Sequence, residues 1–281
     1  MSGQTRLNTI RQMTLALCGL ALSGCAGSGG AIYEFRPTET PLQYEVLDSS
    51  VFLIKSPMGE QRFVDSVRAV LAIEIGQGDT LSHQVSAVFE SLDLWSGGDS
   101  PEQHVFAGDL IGVPFRGTLS QTGSIAVTES PEISDQLKEI ADPITLFSEL
   151  LAPLPPDRTG TAEPWPHRTS FTADAPMSTE ASYDGTAYFA GDTTWNGKPA
   201  RIILSEGLTT VTARGTPAGA PGEVEFTYTG RSTTRYVWDP ERGVMLASSA
   251  TMKTEGELEL LSMQMVMPIS YEGSREVRLR R

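Results

Sequence analysis

Apolar and polar residues alternate with a period of two over most of the chain beyond residue 41. Leu42, Tyr44 and Val46 alternate with polar neighbours, and Phe63, Val67, Ala69, Leu71, Ile73 and Ile75 fall on one side of the next run. Leu81, His83, Val85, Ala87 and Phe89 repeat the pattern against Ser82, Gln84 and Ser86. Such alternation belongs to antiparallel strands that are apolar on one face and wet on the other. Turn signals separate the runs: Pro57-Met58-Gly59, Gly76-Gln77-Gly78-Asp79, Gly97-Gly98-Asp99 and Gln121-Thr122-Gly123. Several runs are long for globular strands, which suits a strongly curved sheet.

The period changes once. Ser130-Pro131-Glu132 reads as a helix start, followed by Ile133, Leu137 and Ile140 at helical spacing. Asp142-Pro143 ends that piece and caps a second, in which Ile144, Phe147, Leu150 and Leu151 share a face. Three prolines within 152–156 stop it. The two-residue period returns at Ala181, Tyr183, Gly185, Ala187 and Phe189, at Val224, Phe226 and Tyr228, and from Leu258 to Met267. The fold class expected is therefore mainly β: a long curved antiparallel sheet, a half-barrel, with a short helical insert at 130–152. Residues 117–127 and 236–246 both read as hairpins with glycine closing the turn before an apolar strand, so a duplicated half-barrel is one explanation.

The first 24 residues follow different rules. Arg6 and Arg11 precede the apolar run Met13–Leu22, and no acidic residue occurs before Cys25. Ten helical residues reach about 15 Å, half of a ~30 Å hydrocarbon core, so this is a targeting segment rather than a span. Leu22-Ser23-Gly24-Cys25 resembles the lipobox of bacterial lipoproteins, in which cleavage precedes a cysteine that carries acyl chains. The resemblance implies lipidation at Cys25 and a membrane partner reached through those chains. The alternative is an ordinary secretory signal cut at nearby small residues. Ala26-Gly27-Ser28-Gly29-Gly30 then opens a tether over 25–40, roughly 20 Å in span as a coil, before a domain over 41–281. Enteric inner-membrane lipoproteins carry aspartate after the cysteine; Ala26 there implies the outer membrane, facing the periplasm.

Cysteine count and charge narrow the chemistry. Of two cysteines, Cys18 lies in the leader and Cys25 would carry lipid, leaving no thiol for a disulfide or a nucleophile. Without Arg6 and Arg11 the formal charge moves from −14 to −16, which disfavours nucleic acid as a partner. Arg275, Arg278, Arg280 and Arg281 form the one basic cluster, expected as a solvated edge strand or frayed tail. His83, His104 and His167 lie far apart without metal-ligand spacing, and no nucleophile elbow or nucleotide-binding glycine loop occurs. No cofactor, metal or catalytic residue is expected, and the chain reads as a non-enzyme.

A strand-rich chain with a helical insert behind a lipobox resembles the exported half-barrel lipoproteins of the LolA, LolB and LppX type. The nearest likeness is to a family of such lipoproteins with Tyr-Glu-Val near the mature start, Pro-Met-Gly in an early turn, and Leu-Pro followed by Trp. This chain has Tyr44-Glu45-Val46, Pro57-Met58-Gly59, and Leu154-Pro155 with Trp165. It departs from the pattern at Ala162-Glu163-Pro164, where a glycine is expected near the tryptophan. The resemblance implies a concave apolar trough for acyl chains and supplies no catalytic residue.

Met263, Met265 and Met267 at period two place three thioethers on one strand face, with Met245 and Met252 on the neighbouring hairpin. Such a wall deforms to fit core or ligand; a soft-metal site is the sharper alternative. Trp95 and Trp195 stand beside glycine turns, at the expected rim of the sheet. The candidate ligand wall is Leu71, Ile73, Met263, Met265 and Met267. Two functions follow as expectations: a lipid-anchored binding protein for an apolar or amphipathic ligand, or an accessory lipoprotein that scaffolds a partner with a filled core.

Overall fold

The computed structural model describes residues 32–280 apart from 80, 100, 135–136, 139–141, 161–162, 174–176 and 217–221. The leader, Cys25, the first part of the tether and Ile140 lie outside the described residues.

Twelve strands form one sheet. In chain order, β1 (Leu42–Ser56), β2 (Gly59–Gly78) and β3 (Ser82–Gly98) make a long meander, and β4 (Gln103–Phe106) adds a short pairing on β3. A 3-10 turn at Gly108–Leu110 leads to β5 (Pro114–Ser120) and β6 (Ile125–Glu129). After the helical insert come β7 (Trp165–Ala173), β8 (Met177–Trp195), β9 (Lys198–Gly215), β10 (Val224–Asp239), β11 (Val244–Leu260) and β12 (Met265–Leu279). The order across the sheet is β6-β5-β3-β2-β1-β12-β11-β10-β9-β8-β7, with every pairing along it antiparallel. The last strand therefore closes against the first, in the middle.

The sheet is curled. Eleven strands laid flat would span about 48 Å. Yet Ile125 of β6 and Phe171 of β7, at its two edges, line the same cavity. Phe52 of β1 and Phe226 of β10, three strands apart, bring their ring centroids to 6.4 Å. The mainly β, half-barrel reading of the alternation holds.

Bulges adjust which residues face inward. Leu71 pairs with Phe89 and Val70 with Ser91, so Glu90 is an extra residue. The buried positions of β3 shift there from Val85, Ala87 and Phe89 to Leu92 and Leu94. Leu246 and Ala190 play the same part in β11 and β8. The β1–β2 and β8–β9 hairpins close with two residues each, Pro57-Met58 and Asn196-Gly197. Both residues of the second turn take positive φ, which the strand twist favours.

The insert is helical in part. Asp142 caps α1 (Pro143–Ser148), its carboxylate accepting from the Ile144 N–H at 3.0 Å, as the sequence implies. The helix start expected at Ser130 is not there. Residues 130–134 are irregular, and Ser134 accepts from the Leu137 and Lys138 N–H groups instead. Pro131 disfavours a helical conformation at Ser130, and Ile133 is buried before the chain turns at Ser134.

The main core lies at one end of the concave face. Tyr44, Val46, Leu71, Ile73, Phe89, Tyr236 and Trp238 form its sheet side, and Phe147, Leu150, Ala152 and Leu154 cover it. Residues 32–40, expected as tether, belong to this end. Tyr33 and Phe35 are buried, Tyr33 packs at a tilt against Phe189 with centroids 4.5 Å apart, and Phe35 meets Trp238 edge-on at 5.0 Å. Arg201 donates to the Tyr33 hydroxyl, and Arg36 to the Glu241 carbonyl. Two aromatic side chains drive this clamp, Tyr33 and Phe35 alternating with Glu34 and Arg36 over too short a stretch to form a strand of the sheet.

Candidate functional site

The concave face is built row by row from the registers. Directly paired residues on antiparallel strands face the same side, so each row runs across the sheet. The row bounding the core reads Ser205, Thr234, Ala250, Arg275 and Asp48. Beyond it lies a row in which five of seven residues are glycine or serine: His167, Gly185, Gly207, Ser232, Met252, Gly273 and Ser50. The third row returns to bulk, with Thr169, Tyr183, Thr209, Gly230, Thr254, Tyr271 and Phe52. Missing side chains in the middle row leave a depression across the sheet.

Tyrosines from the third row lie down over it. A Cβ on Gly273 would stand 2.9 Å from the Tyr271 ring, and one on Gly185 would meet the Tyr183 ring at 2.5 Å. Each ring therefore rests on glycine. Tyr183 and His167 Nδ1 both share hydrogen bonds with Ser205 Oγ at 2.7 Å, and Tyr271 bonds Ser50. Burial pushes the His167 imidazole down to about 4, so it is neutral at pH 7. No carboxylate completes a nucleophile-base-acid chain around Ser205 among the described residues, and Ser205 itself is buried.

The charged group of the floor is Arg275. Its Nε bonds Asp48 Oδ2 at 2.7 Å, and Nη1 faces Glu149 Oε2 at 3.8 Å. Glu149 follows the last turn of α1 and reaches in from the insert. It keeps 38% of its side chain exposed although it lies low in the concavity, because the cavity itself is open. Enclosure pushes its carboxyl above the usual range; Arg275 opposes the shift, and Asp48 and Asp142 add to it. Arg275 thus belongs to a central strand and to the site, not to a solvated edge or frayed tail. Its neighbours Arg278 and Arg280 pair outside the floor with Glu276 and Glu45.

These residues bound a cavity of about 500 Å³. Its apolar walls come from Ile125, Leu151 and Pro153 on one side and Phe171, Ala181 and Val211 on the other. A volume of this size, apolar walls and a few convergent polar groups characterise small-molecule sites. Among the described residues no three His, Cys, Asp or Glu side chains come together as metal ligands, and no helix is long and apolar enough to cross a membrane.

The wall expected from sequence is elsewhere. Leu71 and Ile73 have no exposed surface and belong to the core. Met263 lies in the β11–β12 turn beside Gln264, whose positive φ breaks the strand, so the three methionines do not share one strand face. Met265 and Met267 pack with Leu258, Ile269, Phe52 and Phe226 in a second, smaller cluster, where the curl has brought β1 against β10. Trp165 and Trp238 are buried, and Trp195 packs on the core at the closed end. The cavity residues Asp48, Glu149, His167, Tyr183 and Tyr271 went unselected in sequence. Their one signal there was polar or small residues on the inward parity of otherwise apolar strands.

No family model and no curated protein matches the chain. Among solved structures it is similar to a domain from Vibrio parahaemolyticus, titled as a candidate outer membrane lipoprotein-sorting protein. Identity is 8%, the TM-score 0.16, and the match covers 84% of this chain and 83% of that one. At that level the likeness bears on neither fold nor role.

Proposed function

We propose that this chain is a lipid-anchored protein of the cell envelope, held through Cys25 in the outer membrane and facing the periplasm, that binds an amphipathic, lipid-like ligand without transforming it. The observation that carries the reading is the open cavity of about 500 Å³, with apolar walls over a charged and hydroxylated floor. An apolar chain would lie against Phe171, Ala181, Val211 and Leu151, and a polar head against the floor. The half-barrel leaves this part of its inner face open, between the core that the insert covers and the smaller cluster where β1 meets β10.

Filling the cavity tests it. Val211→Trp should abolish binding of a fluorescent apolar probe and remove lipid that co-purifies with the native protein, with strand content unchanged by circular dichroism. A wild-type protein that binds no probe and carries no lipid overturns the reading and leaves a scaffolding role. The anchor is tested separately: Cys25→Ser should release the chain from membranes and end its labelling by fatty acid.

A further inference from the structure

Of the two arginines that line the cavity, Arg168 at the β7 edge is paired with Asp184 at 2.9 Å, and Arg275 on the floor faces two carboxylates. Arg275 is satisfied by Asp48 at 2.7 Å, which leaves Glu149 with only a 3.8 Å approach to the same cation and no hydrogen bond to it. Tyr236 lies within the fields of Glu149, Arg275 and Tyr183 together, so these groups converge on one place. Beside them, Tyr183 and Tyr271 rest on glycine and line the cavity. Tyr271 also stacks in parallel on Tyr228, centroids 5.8 Å apart and planes within 6°. Thr254 Oγ1, on the concave parity between Gly230 and Tyr271, is enclosed and has no hydrogen-bond partner. A carboxylate without a hydrogen-bonded partner, sharing a cavity with tyrosine rings, is a lining that suits an organic cation.

From this we infer that the cavity selects amphiphiles with an ammonium head, held by Glu149 among the tyrosines of the lining, with the chain along Phe171, Ala181 and Val211. The inference rests on the binding reading above and names the head group it takes. Anionic heads are disfavoured because reaching Arg275 requires displacing Asp48 and approaching Glu149. Uncharged heads gain neither the ion pair nor the ring contact.

The test compares three single-chain amphiphiles below their micellar concentrations: dodecyltrimethylammonium, dodecyl sulfate and dodecyl maltoside. Each competes with a fluorescent apolar probe on the intact chain at pH 8 in 0.3 M NaCl, where general attraction to an acidic surface is screened. The expected result is about tenfold tighter binding of the ammonium than of the sulfate. Glu149→Gln should cut that preference to about threefold or less while leaving the maltoside unchanged. Glu255→Gln, on the convex side, should change nothing. Tyr271→Leu should weaken the ammonium alone, by about threefold.

Sulfate binding as tight as ammonium overturns the inference and leaves the cavity as a lipid site. So does an ammonium preference that survives Glu149→Gln. If no amphiphile displaces the probe, the binding reading falls with it.

Discussion

The two ends of the concave face share one sheet and one alternation, yet they do opposite things. At the closed end the inward residues are Tyr44, Val46, Leu71, Ile73 and Trp238, and the insert lays Phe147 and Leu154 over them. Two rows further on the inward residues are Gly185, Gly207, Ser232 and Gly273, which the insert leaves to the open cavity with the Tyr183 and Tyr271 rings lying against the glycines. The alternation is the same in both places; side-chain volume and the covering insert decide which end becomes core and which becomes cavity. Stability should therefore reside at the closed end and recognition at the open one.

The sharpest way to break that division is to remove volume from the closed end. Trp238 has no exposed surface and meets Phe35 edge-on, so Trp238→Ala should cost about 3–5 kcal/mol in chemical denaturation. That loss is comparable to the whole stability of many domains. A cost under about 1 kcal/mol would mean that the closed end is not the core of the fold.

A smaller change compares one chemical group at both ends. The Tyr44 hydroxyl is buried and donates to the Met245 carbonyl at 2.8 Å. Tyr44→Phe strands that carbonyl and should cost about 1–2 kcal/mol. Tyr271→Phe, in the open cavity, should cost under about 0.5 kcal/mol, because water can replace the lost partner. Equal losses at the two positions would erase the distinction between a dry end and a wet one.

Sequence made the strands legible because burial on one face imposes a period that survives any loop. The Asp142 cap was legible for a similar reason, since its donor lies two residues away. Long-range placements were not. Asp48 and Arg275 are 227 residues apart and meet only because β12 returns to pair with β1. Glu149 reaches the same floor from an insert between distant strands. The clamp of Tyr33 and Phe35 has a two-residue period only four residues long, just after a run of small residues, so it read as tether. Leu71 and Ile73 looked like a ligand wall because alternation marks the inward face, but it does not say whether that face is filled. What fills it, Phe147 and its neighbours, was legible as a helix and not as a lid.

The finest test of the wet end uses its histidine. Burial lowers the His167 pKa from 6.5 to about 4, so the folded chain binds fewer protons than the unfolded chain between those values. Linkage then fixes the sign: this contribution to stability is fully present above pH 6.5 and is lost as pH falls toward 4. The ring borders an open cavity, so solvent screening reduces the loss to about 1–2 kcal/mol. Glu149 acts in the other direction, since its raised pKa favours the folded state on acidification. A comparison within one background removes that term, because wild type and His167→Gln both keep Glu149 and its neighbours Arg275, Asp48 and Asp142. Urea midpoints at pH 7 and pH 4.5 should fall further for wild type than for the variant. Equal falls would show that His167 titrates as it does in water, and that the small-residue row is open to bulk solvent along its whole length.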